Sequence, residues 1–234
     1  MKIIYKDGHV DECPQEEELH VLRHTAAHIM AQAIKRLYPE ADFAFGPATQ
    51  NGFYYDVDLG ERKLGPEDLE AIEKEMKKIV KANLPIKSFV LPRAEAVKLM
   101  EERGEKYKVE HMADLAEETE FSFFQQGEYV DMCLGPHLTY TKALKAFKVT
   151  QQSGAYWKDN SENKMLTRIN GVAFRSSEEL EAWENQSPHF LKLEHFSGSH
   201  GLPYKIGCLQ WQTHRSIPVC YCSFCSSHFE PSDD

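Results

Sequence analysis

The stretch Leu22-Arg23-His24-Thr25-Ala26-Ala27-His28-Ile29-Met30-Ala31 is the one on which the fold turns. Leu22, Ala26, Ile29, Ala33 and Leu37 recur at helical spacing, which predicts a helix from Glu17 to Leu37, ended before Pro39. Four residues separate His24 from His28, so both imidazoles fall on one side of that helix, a turn apart and beside its apolar stripe. A second motif, Asp131-Met132-Cys133-Leu134-Gly135-Pro136-His137, sets a thiol and an imidazole four apart across a Gly-Pro turn. Brought together, three imidazoles and a thiol make either a tetrahedral metal site or a water-activating cluster for hydrolysis. With 11 His and 6 Cys in 234 residues, each spacing arises by chance in roughly a quarter to a half of such chains. The surrounding sequence must decide.

Outward from the first helix, Ile3 to Tyr5 and His9-Val10 flank a turn at Gly8 and predict a small hairpin, placed at residues 1–15. Pro66 opens a second helix whose first turn holds Glu67 and Asp68 and whose end holds Lys77, Lys78 and Lys81, matching the helix dipole. Leu69, Ile72, Met76, Ile79 and Val80 form its apolar face. Ile86 to Leu91 predicts a strand, and Pro92 to Arg103 a third helix stopped by Gly104. Further strands are predicted at Phe121–Phe124, Tyr129–Cys133, Phe147–Gln152, Ala155–Trp157 and Met165–Ile169; Lys108 reads as a strand residue. Ser177 is expected to cap a last short helix. The predicted class is α+β, a mostly antiparallel sheet with helices packed on one face, with the His helix against the strand that holds Cys133.

No apolar run approaches the ~20 residues needed to span a bilayer, and Met1 to Asp7 lacks the apolar core of a secretory signal, so a cytoplasmic protein with no membrane partner is expected. A net charge of −10 argues against indiscriminate nucleic-acid binding. Between Lys142 and Arg175, however, seven basic residues face only Asp159 and Glu162. Lys148, Lys158, Lys164 and Arg168, interleaved with Phe147, Tyr156 and Trp157, therefore make a candidate strip for a single-stranded RNA end.

Between and beyond the two His/Cys motifs lie Gly46-Pro47, Asn51-Gly52-Phe53-Tyr54-Tyr55-Asp56, Glu105-Lys106-Tyr107-Lys108-Val109, Ser153-Gly154-Ala155-Tyr156-Trp157-Lys158 and Asn163-Lys164-Met165-Leu166-Thr167-Arg168-Ile169. In that order the set closely resembles the editing region of bacterial threonyl-tRNA synthetases, from about Leu19 to about Glu181. Alanyl-tRNA synthetases share the two His/Cys motifs, and the aromatic segments resemble the threonyl branch. The resemblance implies an editing domain at 16–185 that hydrolyses the ester joining serine to the 3′ end of threonine tRNA. It implies catalytic-cluster roles for His24, His28, Lys108, Asp131, Cys133 and His137, with Tyr55 bordering the serine pocket. It implies hydrolysis without a cofactor. Zinc on His24, His28, Cys133 and His137 is the alanyl-type alternative, and ATP belongs to the class II aminoacylation core.

Two departures from the family accompany it. Only the hairpin stands where a small β-rich domain begins typical members, and the class II core, through which such enzymes usually form homodimers, is not in the 234 residues. The expectation is a monomeric fragment without ligase activity. Residues 186–234, with Cys220, Cys222, Cys225 and His228, are expected to be a truncated or frame-shifted stretch rather than a selected domain, a compact zinc cluster being the other reading. Three function classes stay open: a metal-free editing hydrolase, an alanyl-type zinc deacylase, and a non-catalytic binder of tRNA ends.

Overall fold

The protein is described by a computed structural model covering residues 1–115 and 118–186. The expectations for Cys220, Cys222, Cys225 and His228 lie outside the described residues. In chain order the elements are β1 (Lys2–Ile4), β2 (Val10–Glu12), α1 (Glu18–Leu37), β3 (Asp42–Phe43), β4 (Phe53–Asp58), α2 (Pro66–Ala82), β5 (Ile86–Pro92) and α3 (Arg93–Glu102). There follow α4 (Lys106–Asp114), β6 (Glu120–Gln126), β7 (Tyr129–Met132), β8 (His137–Leu138), β9 (Ala146–Tyr156), β10 (Met165–Phe174) and α5 (Ser177–Gln186). Among the described residues every strand pairing is antiparallel, in three sheets ordered β2-β1-β8, β3-β4-β10-β9 and β5-β6-β7, and the class is α+β.

Helix α1 is the centre of the molecule. Rather than showing one apolar stripe, it is buried almost all round from Val21 to Ile34. It packs against α2, against β4 and β10, and against β8. Ala26, Ala27, Ala31 and Ala33, all fully buried, suit such close approach on several sides while keeping high helix propensity. Helix α2 lays Ile72, Met76 and Ile79 into the same core and ends on Asn83 in the left-handed conformation. A second core, formed by Ala96, Met100, Met112, Phe121, Phe123 and Met132, lies among α3, α4 and the β5-β6-β7 sheet.

Several expected elements change on folding. The Lys108 segment is helical, not extended: α4 is nine residues long and buries Tyr107, Lys108 and Met112. Its buried face includes a lysine, so hydropathy alone hides the period. Ala146 to Tyr156 is a single strand, with Trp157 opening a 3-10 turn after it, because Ser153 and Gly154 stay paired with Arg168 and Thr167 despite their polarity. The last helix is capped by Ser176 rather than Ser177, its Oγ accepting the Glu179 amide at 3.3 Å. The hairpin strand β1 pairs with β8, Ile4 opposite His137, so the amino-terminal residues help to seat a motif residue. Helix α1 reaches the second motif both through β8 and, by His28 beside Asp131, through the strand before Cys133.

One buried carboxylate joins three of these pieces. Asp58, 4% exposed, accepts from Tyr107 Oη at 2.8 Å, Lys106 Nζ at 3.0 Å and Lys164 Nζ at 2.7 Å, with the Gly60 amide on its other oxygen. It ties the end of β4 to the start of α4 and to the β9–β10 connection. Asp58→Ala should therefore lower stability by about 2 kcal/mol, since it strands the buried Tyr107 hydroxyl. Urea denaturation measures this; an unchanged midpoint would show that the junction supports nothing.

Candidate active site

The helical spacing in α1 sets the His24 and His28 rings 5.2 Å apart, centroid to centroid. His137, the first residue of β8, stands between them at 4.2 Å from His24 and 4.1 Å from His28. Gly135, at φ +65°, reverses the chain after β7. A Cβ there would lie 2.4 Å from the Phe124 ring, which itself tilts onto His137 at 4.6 Å. The turn therefore needs glycine both for its backbone and for its seat on Phe124. It brings Cys133 Sγ to 3.1 Å from His137 Nε2. The four groups each offer an atom of metal-ligand type, and those atoms lie within 4.8 Å of one another.

A second cluster adjoins the first. Asp131 Oδ1 lies 2.8 Å from Lys108 Nζ, and Oδ2 accepts from Tyr55 Oη at 2.5 Å and Tyr129 Oη at 3.3 Å. Lys108 also donates to Tyr55 Oη at 3.1 Å and lies over the Phe45 ring, 4.6 Å from its centroid. Asp131 Oδ2 is 3.5 Å from His28 Nε2, which links the two clusters. Lys108 and Asp131 are 2% and 3% exposed. So deep a pair holds only because hydrogen bonds from Tyr55 and Tyr129 meet the remaining carboxylate oxygen.

Burial decides the protonation states. It pushes His24, with His28 beside it, down to about 3. It pushes His28 to about 4 although Asp131 opposes it. His137 is driven well below the usual imidazole value by burial and by the other two rings. Burial raises the Cys133 thiol, with Asp131 adding to the rise. Burial would also raise Asp131, but the Lys108 ammonium and then His28 override it and hold the carboxyl at about 2. At neutral pH the site is thus three neutral imidazoles and a protonated thiol beside one carboxylate.

His24, His28, Cys133, Lys108 and Asp131 open onto a crevice of about 830 Å³, lined also by Phe45, Gly46, Pro47, Phe121, Ser122 and Leu134, with His137 fully buried behind Cys133. The volume suits a ligand of nucleoside size rather than an amino acid alone. Gly46 is part of the wall for a steric reason, since a Cβ there would stand 2.1 Å from the Tyr55 ring. Sequence reasoning assigned no role to Phe45, Tyr129 or Thr25. Thr25 bonds His137, and nothing in a helical pattern marks a threonine as a partner of a strand residue 112 positions away.

The basic strip carries carboxylate partners from outside the Lys142–Arg175 window. Lys148 pairs with Glu184 at 2.7 Å, Lys158 with Glu110 at 2.8 Å and with Asp114, and Lys164 with Asp58. Arg168 makes a two-pronged contact with Asp56, 2.8 Å on each side. The carboxylates come from other parts of the chain, so a local charge count misses them. Phe147 and Trp157 are buried, and Tyr156 alone of the three aromatics is exposed. Among the described residues no helix is long and apolar enough to cross a membrane.

Residues 122–170, which carry Asp131, Cys133, His137 and the β9–β10 hairpin, match the threonyl and alanyl tRNA synthetase second additional domain. The chain is 53% identical to the threonine–tRNA ligase of Clostridioides difficile over 180 residues, 77% of this chain and 28% of that protein. It is 49% identical to that of Clostridium novyi over 197 residues, 83% of this chain and 31% of the relative. The chain contains an editing-type region of the threonyl-tRNA synthetase kind. It spans less than a third of the length of these relatives.

The site makes stability depend on pH in a definite direction. Unfolded histidines take up protons below about pH 6.5, whereas folded His24 and His28 resist until about 3 and 4. The unfolded state thus binds more protons, and stability should fall as pH drops from 6.5 towards 4. Below that, protonation of Asp131 in the unfolded chain, before its folded carboxyl at about 2, removes more. Urea midpoints between pH 8 and 4 measure the slope, and His28→Asn should flatten it; a level profile for the unaltered chain would show these rings to be hydrated.

Proposed function

We propose that the crevice hydrolyses the ester joining serine to the 3′-terminal ribose of threonine tRNA. The observation that carries this reading is the single crevice in which neutral imidazoles stand against a buried Lys108–Asp131 pair. Ester hydrolysis needs an oriented water, a path for its proton, a donor near the leaving ribose oxygen and support for the oxyanion. His24 orients the water. Its Nδ1 is a buried ring nitrogen without a hydrogen-bond partner, so it is free to take one. A ring held at about 3 is a weak base, so the proton does not rest on His24 but passes through the neighbouring ribose hydroxyl to the departing ribose oxygen as the ester C–O bond breaks.

Lys108 supplies the positive charge near the leaving oxygen, and Asp131 aims it and receives the serine ammonium. His28 and Cys133 hold the adenosine end, and His137 behind them fixes the Cys133 thiol. Tyr55, wedged under Gly46, borders the amino-acid pocket. Serine and threonine differ by one methyl group, worth about 1–3 kcal/mol to a binding site. A synthetic site for threonine therefore admits some serine, and a second site that excludes the methyl can remove the error. Such a substrate places the activity in the cytoplasm.

The reading requires no cofactor. A second reading has its own observation, because the His24, His28, Cys133 and His137 donor set, within 4.8 Å, matches zinc in type and number. Bound there, zinc would supply an activated water. The strip of Lys148, Lys158, Lys164 and Arg168 contacts the RNA only by exchanging its carboxylate partners for phosphates, so its share of binding is small. Synthetic activity is not proposed for a chain that spans less than a third of its relatives.

One assay separates the readings: deacylation of seryl- and threonyl-threonine tRNA and of seryl-alanine tRNA by the full chain, with and without chelator. Seryl-threonine tRNA should be cleaved in preference, chelator should have no effect, and His24→Ala should lose at least about 100-fold in rate while still binding tRNA. Full activity in His24→Ala would refute its role. Stoichiometric zinc, lost in His28→Ala together with activity on seryl-alanine tRNA, would establish the alanyl-type reading. Binding without turnover would leave only an RNA-end binder.

A further inference from the structure

Thr25 stands between two site imidazoles in sequence but touches the third. It is fully buried. Its Oγ1 accepts the Leu138 amide hydrogen at 3.1 Å and lies 3.2 Å from His137 Nδ1. A threonine hydroxyl has one hydrogen and two lone pairs, and the amide engages a lone pair. The usual outlet for the hydrogen in mid-helix is a carbonyl one turn back. Thr25 makes no such bond among the described residues, so Nδ1 is the acceptor within reach.

We infer that Thr25 is a positioning residue that holds His137 as the tautomer protonated on Nε2. The hydroxyl gives its hydrogen to Nδ1, and the ring N–H on Nε2 then faces Cys133 Sγ at 3.1 Å. The opposite tautomer would point Nδ1–H at the hydroxyl oxygen and leave the hydroxyl hydrogen buried with no acceptor. Held in this way, His137 turns a hydrogen-bond donor toward the Cys133 thiol, which itself lines the crevice. It is neither a base at Nε2 nor a lone pair aimed at a cation beside Cys133. The same threonine clamps α1 to β8, so the tautomer is set by the contact that joins the two motifs.

The kinetic part rests on the proposed hydrolysis; the tautomer does not. On the full chain labelled with 15N, long-range proton–nitrogen spectra report which ring nitrogen of His137 carries hydrogen, with His137→Asn assigning the signals. The expected result is hydrogen on Nε2, kept in Thr25→Ser and moved towards a mixture in Thr25→Val, which has the same shape without the hydroxyl. Deacylation should persist in Thr25→Ser and fall about tenfold or more in kcat in Thr25→Val, with little change in KM. Hydrogen on Nδ1 in the unaltered chain would overturn the inference, as would Thr25→Val with an unchanged tautomer. If Thr25→Val does not fold, the spectra of the unaltered chain and of Thr25→Ser decide. A chain that shows the Nε2 tautomer but cleaves no ester would sink the hydrolytic reading and leave this one standing.

Discussion

A buried ion pair, Lys108 with Asp131 at 2.8 Å, is the constraint on which the site is built. Neither partner reaches water, so each depends on the other and on the hydroxyls of Tyr55 and Tyr129. Losing any one of these groups would leave a charge or a donor unpaired in a low-dielectric interior. Lys108 comes from α4, Asp131 from β7 and Tyr55 from β4, three elements with no neighbour in common along the chain. The pair therefore requires all three to be in place at once. Asp58 secures α4 and β4 from the other side, and Gly46 leaves the Tyr55 ring the room it needs.

The imidazole cluster follows a different logic. It gains rigidity by giving up charge: burial keeps all three rings neutral, and a single carboxylate nearby is not enough to reverse that. Three cationic rings with centroids 4.1 to 5.2 Å apart would repel strongly. Three neutral ones pack against one another, and His137 tilts against Phe124 and is held by Thr25. The ion pair supplies charge to the crevice and the imidazoles supply orientation.

Legibility in the sequence varied with the range of the interaction. Helices α1 and α2 were readable because apolar spacing, Pro66, and the acidic start and basic end of α2 all act within a few residues. The β9–β10 hairpin was readable from the polar Asp159–Asn163 connection between two strand patterns, although β9 runs unbroken through Ser153 and Gly154. Helix α4 was not readable, because its inward face carries Lys108, and only a partner elsewhere makes a lysine a buried residue. The basic strip misled for the mirror reason: Asp56, Asp58, Glu110, Asp114 and Glu184 neutralise it from outside the counted window.

What the sequence determined by itself was the inventory and its local geometry: two histidines a helical turn apart, a thiol and an imidazole across a Gly-Pro turn, and the α+β pattern around them. What only the tertiary structure decided was who meets whom. Burial is a property of the whole packed chain, and it is burial that makes the imidazoles neutral, keeps the thiol protonated and makes Lys108 depend on Asp131 and Tyr55. Hydrogen-bond direction is likewise settled only once the acceptors are in place, as at Thr25, where a strand from the far half of the chain fills one side of a helical hydroxyl.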